Sequence, residues 1–327
     1  MPPMLDNLCI FAHFDPDDIV DDHVLRYIRC IGECGFSVVV VSTAKLSQKW
    51  VDLLRRYCVE VIVRDNIGYD FGSWSTGLAR YDNHFCGNLL LANDSVYGPI
   101  GSLNTALATL TSRTADFYGM VESHEHLSHL QSWFLLFRPH VWKHEAFISL
   151  FVQPSNLLSK QDVILKYELA ATQRLRQAGF RAGSLYSSEF RKIATNPTHS
   201  IWRQLIEKHG IPFIKIELLA LNPMRISNVH EWRMVVAKRS PELIPIIDNH
   251  LARIGRLTRR SVNVGTATLT LEDKVNTRFV HNDEFLSSCG LPMIAKANLQ
   301  LFKLTRRAFA MQSSVRRAIA RGKKRGG

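Results

Sequence analysis

Two polar segments of the chain combine residue types that could bind a phosphate-bearing ligand. Asn93-Asp94-Ser95 follows directly after the apolar run 89–92 (Leu-Leu-Leu-Ala), and the glycine-rich segment 65–72 (Asp-Asn-Ile-Gly-Tyr-Asp-Phe-Gly) precedes that run. A carboxylate at the tip of a strand can hold Mg²⁺ or Mn²⁺. Such a cation neutralises the charge that develops on a nucleotide diphosphate when a sugar is transferred from it. Asp94 is therefore the candidate metal ligand.

Both segments also have ordinary structural interpretations. Asp94 could close an Asx-turn ahead of Gly98-Pro99, because Asp side chains often hydrogen-bond their own backbone two residues on. Gly68 and Gly72 could serve a plain strand-to-helix turn, where glycine permits a positive φ or a close backbone approach. The occurrence of the two segments one strand apart favours ligand binding.

The side chains expected to contact a nucleotide-sugar come from these segments and from the end of the first predicted strand. They are His13, Asn66, Gly68, Asp70, Asn93, Asp94 and Ser95. Three further polar residues are candidates for binding the hydroxyl groups of an acceptor: His129, Gln131 and Ser132. These three could equally form the solvated face of an ordinary strand, and His13 could equally be a capping histidine.

Two glutamates are candidates for a general base. Transfer of a sugar to a hydroxyl with inversion needs a carboxylate that takes the proton of that hydroxyl. Glu168 lies on a predicted helix eleven residues before Gly179, and Glu122 directly follows a predicted strand. A solvated glutamate on a helix face is the alternative interpretation of Glu168.

The order of the predicted elements indicates an α/β protein. Strands are predicted over 8–14, 36–42, 60–63 and 88–92, and helices over 17–33, 47–57 and 73–81. Further strands are predicted over 116–121 and 130–138, and further helices over 141–151, 160–178 and 197–209. The strict alternation in the first part predicts a parallel sheet with right-handed crossovers.

The charge of the chain is concentrated at its end. The net charge of the 327 residues is +12; no acidic residue follows Glu284, and ten basic residues occur from Lys296 onward. We expect a main domain over 1–240, an irregular extension over 241–294 and a basic, helical amphipathic tail over 295–327. A basic amphipathic helix is typical of binding to an anionic membrane surface, and a disordered solubilising tail is the alternative. Nucleic acid is not an expected partner, because the body lacks an aromatic-studded basic patch.

The remaining composition favours a cytoplasmic protein. No apolar run approaches the roughly 20 residues that span a bilayer, and the first residues lack the pattern of a signal peptide. Cys30 and Cys34 have no second Cys/His pair nearby, so buried thiols in a reducing compartment are predicted rather than zinc ligands. We expect a cytoplasmic protein that its tail can hold at the inner face of the cell membrane.

Seven motifs occur together and in one order along the chain. They are 66–74 (Asn-Ile-Gly-Tyr-Asp-Phe-Gly-Ser-Trp), 91–99 (Leu-Ala-Asn-Asp-Ser-Val-Tyr-Gly-Pro), 129–134 (His-Leu-Gln-Ser-Trp-Phe), 166–169 (Lys-Tyr-Glu-Leu), 196–202 (Asn-Pro-Thr-His-Ser-Ile-Trp), 212–215 (Pro-Phe-Ile-Lys) and 221–223 (Leu-Asn-Pro). With these motifs, residues 8–235 resemble the rhamnan synthesis protein F family. Segment 168–180 is also similar to the helix that carries the catalytic Asp of inverting transferases, which implies that Glu168 is the base.

The resemblance implies a glycosyltransferase of GT-A-like fold, with a mixed, mainly parallel sheet flanked by helices. The implied activity is inverting transfer of rhamnose from a nucleotide-sugar, dTDP-rhamnose, to a growing cell-surface polysaccharide. The implied partners are that donor, a glycan or lipid-linked glycan acceptor, and Mg²⁺ or Mn²⁺. The alternative function is a non-catalytic carbohydrate-binding or assembly subunit that keeps the fold. The presence of both Asp94 and Glu168 favours the enzyme.

Overall fold

The structure is a computed structural model that describes residues 4–124, 127–151, 170–187 and 196–262. The candidate base Glu168 and the basic tail lie outside these described residues. Within the described ranges, no helix is both long enough and apolar enough to cross a membrane.

The chain divides into two compact units. The larger unit comprises residues 1–122, 129–187 and 197–266 and contains nearly all of the described elements. The smaller unit comprises residues 123–128, 188–196 and 267–327.

The described elements alternate between strands and helices through the first 93 residues. The strands are β1 (Leu8–His13), β2 (Ser37–Ser42), β3 (Glu60–Val63), β4 (Leu89–Asn93), β5 (Val96–Tyr97), β6 (Phe117–Ser123), β7 (His129–Leu130), β8 (Phe134–Phe137), β9 (Ala182–Tyr186) and β10 (Ile214–Lys215). The α-helices are α1 (Asp22–Glu33), α2 (Gln48–Leu54), α3 (Tyr69–Arg80), α4 (Leu103–Thr111), α5 (Pro139–Trp142), α6 (Glu145–Phe151), α7 (Ala170–Gln177), α8 (Pro197–Ser200), α9 (Trp202–Glu207), α10 (Ile216–Ala220), α11 (Trp232–Ala237) and α12 (Leu243–Val262).

The main sheet has the strand order β3-β2-β1-β4-β8-β6-β7, and β9 pairs with β6. Strands β1 to β4 are parallel to one another, and β9 is parallel to β6. Strand β8 runs antiparallel to both β4 and β6, and β5 forms a separate antiparallel pair with β10. The predicted mixed, mainly parallel α/β sheet is therefore confirmed.

Helices cover both faces of this sheet. On β1, Cys9 and Phe11 belong to the core that includes α1 and α4, whereas Ile10 and Ala12 belong to the core that includes α3 and α6. Parallel strands that are buried on both faces have nearly continuous apolar sequences. That requirement explains why β1, β2 and β4 were recognisable as apolar runs.

The register of the parallel strands brings several strand ends into one row. His13 pairs with Ser42 across β1 and β2. Ala12 pairs with Asn93 across β1 and β4, so His13 is level with Asp94. The carboxyl ends of β1, β2 and β4 therefore present their side chains at one edge of the sheet, where α/β proteins bind ligands.

The same row continues to β6. Leu91 of β4 and Gly119 of β6 both pair with Leu135 of β8. Continuing three residues along both strands places Asp94 level with Glu122. Because neighbouring strands lie about 4.8 Å apart, these two strand ends are roughly 10 Å apart.

Several element boundaries differ from the predicted ones. Helix α1 begins at Asp22 instead of residue 17, and α3 begins at Tyr69 instead of residue 73. The predicted strand 130–138 is divided into β7 and β8 by a turn, in which the Trp133 indole N–H donates to Oε1 of Gln131 at 2.8 Å. Because the indole pairs within its own turn, the strand predicted from the apolar run is interrupted there. The predicted helices 141–151 and 197–209 are likewise each divided in two.

Several elements were absent from the sequence analysis, among them α4, β9 and α12. Helix α12 lies within the segment 241–294 that was expected to be irregular. Its buried positions Leu243, Ile247 and His250 have helical spacing, but one of them is polar. Pro245 stands in the first turn, where a helix tolerates proline. The histidine and the proline together weakened the helical pattern.

Close packing of α3 on β1 depends on Gly77. A Cβ atom at this position would lie 2.6 Å from Cγ2 of the buried Ile10, whereas a Cβ at Gly32 of α1 would meet nothing within 4 Å. Gly77→Ala should lower the free energy of unfolding by about 1–3 kcal/mol through overpacking. The matched control Gly32→Ala should raise it by about 0.4–1 kcal/mol. Urea denaturation measures both, and stabilisation by both substitutions would contradict the close approach.

Candidate functional site

A hydrogen-bonded cluster of polar side chains lies at the carboxyl end of β4. Nδ2 of Asn93 donates to Oδ2 of Asp70 at 2.8 Å. Oδ1 of Asn93 accepts from the hydroxyl of Ser95 at 2.6 Å and from its backbone N–H at 3.2 Å. Nζ of Lys215 donates to Oγ of Ser95 at 3.1 Å. We call Asp70, Asn93, Asp94, Ser95 and Lys215 the strand-end cluster.

Helix α3 carries Asp70 to this position. The indole N–H of Trp74 donates to the carbonyl oxygen of Ala92 at 3.0 Å, and the Trp74 side chain is fully buried. Asp70 and Trp74 are four residues apart and therefore lie on one face of the helix. The contact of Trp74 with the end of β4 thus aligns Asp70 with Asn93, the next residue of the strand.

The turn before α3 uses both predicted glycines. Gly68 precedes the helix with φ 77°, a left-handed conformation that favours glycine. A Cβ atom at Gly72 would lie 2.1 Å from the carbonyl oxygen of Ile67, so only glycine allows the loop to fold back on the helix. Arg64 holds this loop by donating to Oγ of Ser73 at 3.1 Å and to the Ile67 carbonyl. Asn66 is exposed on the same loop.

Asp94 is the most perturbed carboxylate of the site. Its Oδ2 accepts from the backbone N–H of Phe14 at 2.7 Å, which joins the ends of β4 and β1. Burial, together with the negative charges of Asp70 and Asp15, raises the pKa of Asp94 to about 8. Asp70 therefore disfavours ionisation of Asp94, and a divalent cation would relieve the repulsion between the two carboxylates. Their oxygen atoms are the ligands that Mg²⁺ and Mn²⁺ prefer.

His13 lies in the same row but is engaged within the sheet. Its Nδ1 is 2.9 Å from Oγ of Ser42 on the neighbouring strand, and its side chain is buried. Burial lowers the pKa of His13 to about 4, partly opposed by Asp15. The imidazole is therefore neutral at physiological pH, and its role as a contact of the nucleotide stays a prediction.

Glu122 occupies the corresponding end of β6. Its Oε1 accepts from Arg176 of α7 at 2.8 Å, and its Oε2 accepts from the hydroxyl of Ser187 at 2.6 Å. These contacts hold the carboxylate at the edge of the sheet that also carries Asp94. Glu168 precedes α7 in the chain and lies outside the described residues, so the choice between the two glutamates stays open.

The three predicted acceptor-binding residues lie in and after β7. His129 and Gln131 are buried, and Ser132 is half-buried in the turn before β8. Gln131 accepts from the indole of Trp133 at 2.8 Å. The Nζ of Lys215 lies 5.7 Å from the centre of the Trp133 ring, so this turn adjoins the strand-end cluster. Their contact with an acceptor stays a prediction.

Sequence reasoning missed Lys215 and Phe14 as components of the site. Lys215 stands at the end of motif 212–215, but a single lysine in an apolar stretch carries no spacing signal. It reaches the cluster because β10 pairs with β5, where Lys215 is opposite Val96. Phe14 follows β1 directly, donates its N–H to Asp94 and leaves half of its surface exposed. Both contributions depend on backbone pairing between distant segments.

The mainly parallel sheet, with polar and acidic side chains at its strand ends, defines an α/β protein whose candidate site lies where such proteins bind ligands. The sequence profile of the family described as rhamnan synthesis protein F matches residues 38–276. The chain belongs to this family. The predicted family is thereby confirmed, as is the mixed, mainly parallel sheet of its expected fold.

The chain is also similar to a curated relative. Over 205 residues it is 32% identical to virulence protein VirA of Vibrio anguillarum, and this alignment covers 52% of the chain and 65% of VirA. The chain therefore spans slightly less than two thirds of that protein's length.

Similar solved structures include S. aureus TarS and a mannosyltransferase. The S. aureus TarS fragment 1–349 has a TM-score of 0.42 and 12% identity, with 94% of this chain and 92% of that chain covered. The mannosyltransferase PcManGT of Pyrobaculum calidifontis, in complex with GDP-Man and Mn²⁺, has a TM-score of 0.37 and 9% identity, with 90% and 86% covered.

The raised pKa of Asp94 predicts a pH-dependent stability. An unfolded Asp titrates near 3.9, so the folded chain retains a proton that the unfolded chain loses between about pH 4 and pH 8. Stability should therefore fall as the pH rises through this range. In EDTA, Asp94→Asn should reduce the fall in Tm between pH 5 and pH 9 by at least about 2 °C, the equivalent of roughly 1 kcal/mol.

The exposed Asp22 provides the matched control, and Asp22→Asn should titrate like the wild type. Thermal unfolding monitored by circular dichroism across the pH series measures the three proteins. Parallel Tm curves for the wild type and Asp94→Asn would contradict the perturbation of Asp94.

Proposed function

We propose that this chain transfers a sugar from a nucleotide-sugar to a glycan acceptor, with the strand-end cluster as the donor-diphosphate site. The observation that carries the proposal is that Asp70, Asp94 and Lys215 all make hydrogen bonds to the strand ends at the carboxyl edge of the sheet. Acidic residues for a cation and a lysine for an anion are the two kinds of group that a metal-bound diphosphate requires.

Within the cluster, Asp94 and Asp70 would hold Mg²⁺ or Mn²⁺. When bound, such a cation neutralises charge on the departing diphosphate. Lys215 contributes a further positive charge, and its hydrogen bond to Ser95 orients the ammonium group. Gly68 and Gly72 allow the backbone of the loop before α3 to approach the ligand closely. Asn93 keeps the Asp70 carboxylate in place through its amide.

The transfer is proposed to proceed with inversion, and the base is Glu168 or Glu122. A base must stand on the acceptor side of the donor sugar and within reach of its hydroxyl. The separation of roughly 10 Å between the ends of β4 and β6 supports Glu122, because a sugar fits between a diphosphate at one and an acceptor at the other. The motif containing Glu168 supports the alternative.

The donor and acceptor classes follow from the family description, rhamnan synthesis. We infer dTDP-rhamnose as the donor and a growing cell-surface polysaccharide, free or linked to lipid, as the acceptor. His129, Gln131 and Ser132 would contact the acceptor, since their turn adjoins Lys215 through Trp133.

Removal of the Asp94 carboxylate tests the donor site. Asp94→Ala should lower turnover by about 10²–10³-fold, the range for loss of one preorganised electrostatic contact. The measurement is release of dTDP from dTDP-rhamnose, with UDP- and GDP-sugars as parallel donors. The control Asp82→Ala removes an exposed carboxylate beyond the other end of α3 and should retain wild-type turnover.

Two further outcomes separate the alternatives. Full activity in excess EDTA would remove the metal from the proposal and leave Lys215 as the neutralising group. Binding of glycan without turnover of any nucleotide-sugar would identify the chain as a carbohydrate-binding or assembly subunit.

Substitution of the two glutamates tests the base. Replacement of the glutamate that acts as the base, by Glu168→Gln or by Glu122→Gln, should lower kcat by about 10²–10⁴-fold. The variant should still bind the donor. Donor affinity is measured by calorimetry and kcat with donor and acceptor present. Ser187→Ala is the matched structural control, because it removes a partner of Glu122 but keeps its carboxylate. Near-normal kcat in both Gln variants would exclude both glutamates.

The basic tail is proposed to hold the enzyme at the inner face of the cell membrane, where a lipid-linked acceptor lies. Its charge carries this part of the proposal, because ten Lys and Arg residues follow Glu284 without an acid. Each such residue near an anionic leaflet contributes about 1 kcal/mol.

Deletion of residues 295–327 tests the tail. The truncated chain should no longer sediment with anionic liposomes at low salt, and it should still hydrolyse soluble donor. Neutral phosphatidylcholine liposomes and high salt serve as controls, since electrostatic binding should vanish in both. Equal sedimentation of the full-length and truncated chains with anionic liposomes would refute the membrane role.

A further inference from the structure

A second group of metal-ligating side chains lies at the start of α1 and in α12. Asp21, His23 and His250 each offer one ligand atom, and these three atoms all lie within 4.8 Å of one another. Both imidazoles are buried and Asp21 is half-buried. None of the three belongs to the strand-end cluster, and they have no part in the proposed sugar transfer.

His23 is the member of this group that carries a buried polar atom without a hydrogen-bond partner among the described residues. That atom is Nδ1 of its imidazole ring. The exposed fraction of the His23 side chain is 4%, so bulk solvent does not supply that partner. The rings of His23 and His250 lie only 4.4 Å apart between centres, tilted by 48°. A buried nitrogen lone pair without a partner costs free energy unless a ligand occupies it.

Asp21 also departs from its usual structural role. It stands at the N-cap of α1 but makes no side-chain capping hydrogen bond, although Asp at this position normally bonds the first helical N–H groups. Its Oδ2 instead lies 3.6 Å from Nε2 of His250 and accepts from Arg253. The carboxylate is therefore turned away from the helix end and toward the two imidazoles.

Contacts of His250 with Tyr97 and of Asp21 with Arg253 hold the group in place. The hydroxyl of Tyr97 lies 2.6 Å from Nδ1 of His250, which directs Nε2 toward Asp21. Arg253, one turn further along α12, binds Asp15, Asp17 and Asp21 and so fixes the loop before α1. A ligating imidazole usually has such a partner on its other nitrogen, because that contact sets its tautomer and orientation.

We propose that Asp21, His23 and His250 form a binding site for a divalent transition-metal ion, with Zn²⁺ as the reference ion. Two imidazole nitrogens and one carboxylate suit Zn²⁺ and its first-row neighbours, whereas Mg²⁺ and Ca²⁺ prefer oxygen ligands. A three-ligand set leaves room for water or another ligand on the ion. The ion would join α12 to α1 and so tie the C-terminal helix to the sheet.

Metal titration of the full chain, freed of metal with a chelator, tests the site. The wild type should bind one equivalent of Zn²⁺ in competition with a chromophoric chelator. His23→Gln, His250→Gln and Asp21→Asn should each weaken that binding by about 100-fold or more, since even outer-shell partners are worth 10–100-fold. The controls His209→Gln and Asp22→Asn alter exposed residues and should bind as the wild type does.

Substitution with Co²⁺ distinguishes this site from adventitious binding by cysteine. Nitrogen and oxygen ligands should give visible ligand-field bands without near-ultraviolet thiolate charge transfer. Tyr97→Phe keeps the packing and removes only the hydroxyl, so it should weaken Zn²⁺ binding by about 10–100-fold. This variant tests the site even where a variant of a direct ligand fails to fold. Thiolate bands alone, or equal Zn²⁺ affinity in the wild type, His23→Gln and Tyr97→Phe, would overturn the proposal.

Discussion

The packing of α3 on the carboxyl end of β4 is the constraint on which the strand-end cluster depends. Trp74 is buried against the sheet, and its indole hydrogen bond to Ala92 sets the position of the helix along the strand. One helical turn earlier, Asp70 then meets the amide of Asn93. The approach is close enough only because residue 77 has no side chain. The site therefore inherits its geometry from the core rather than from a flexible loop.

The same rigidity keeps negatively charged side chains close together, so they repel one another. Burial and the negative charge of Asp70 both raise the pKa of Asp94, so the free chain disfavours the ionised carboxylate there. Such loss of stability is common where activity needs a destabilised site. A cation or a protonated partner removes the repulsion. Lys215 supplies fixed positive charge nearby, from the other half of the larger unit.

The C-terminal segment of the larger unit completes the region around the strand ends. Strand β10 brings Lys215 to the cluster by pairing with β5. Helix α12 places Arg253 against the acidic loop that follows β1, and His250 beside Tyr97. Segments that are more than 100 residues apart in the chain thus meet at one edge of the sheet.

The sequence by itself determined the alternating α/β elements, the family, the two glycine turns and the acidic tip of β4, since each leaves a local signal in periodicity, turn chemistry or motif order. Tertiary structure alone decided the order of β8 and β6, the helix at 243–262, and the partners Lys215 and Phe14. Those features depend on strand pairing and on ion pairs between distant residues, which no local pattern encodes. His250 illustrates the difference. A polar residue on a buried helix face weakens the apolar period in the sequence, and only the packing shows that this residue contacts Tyr97.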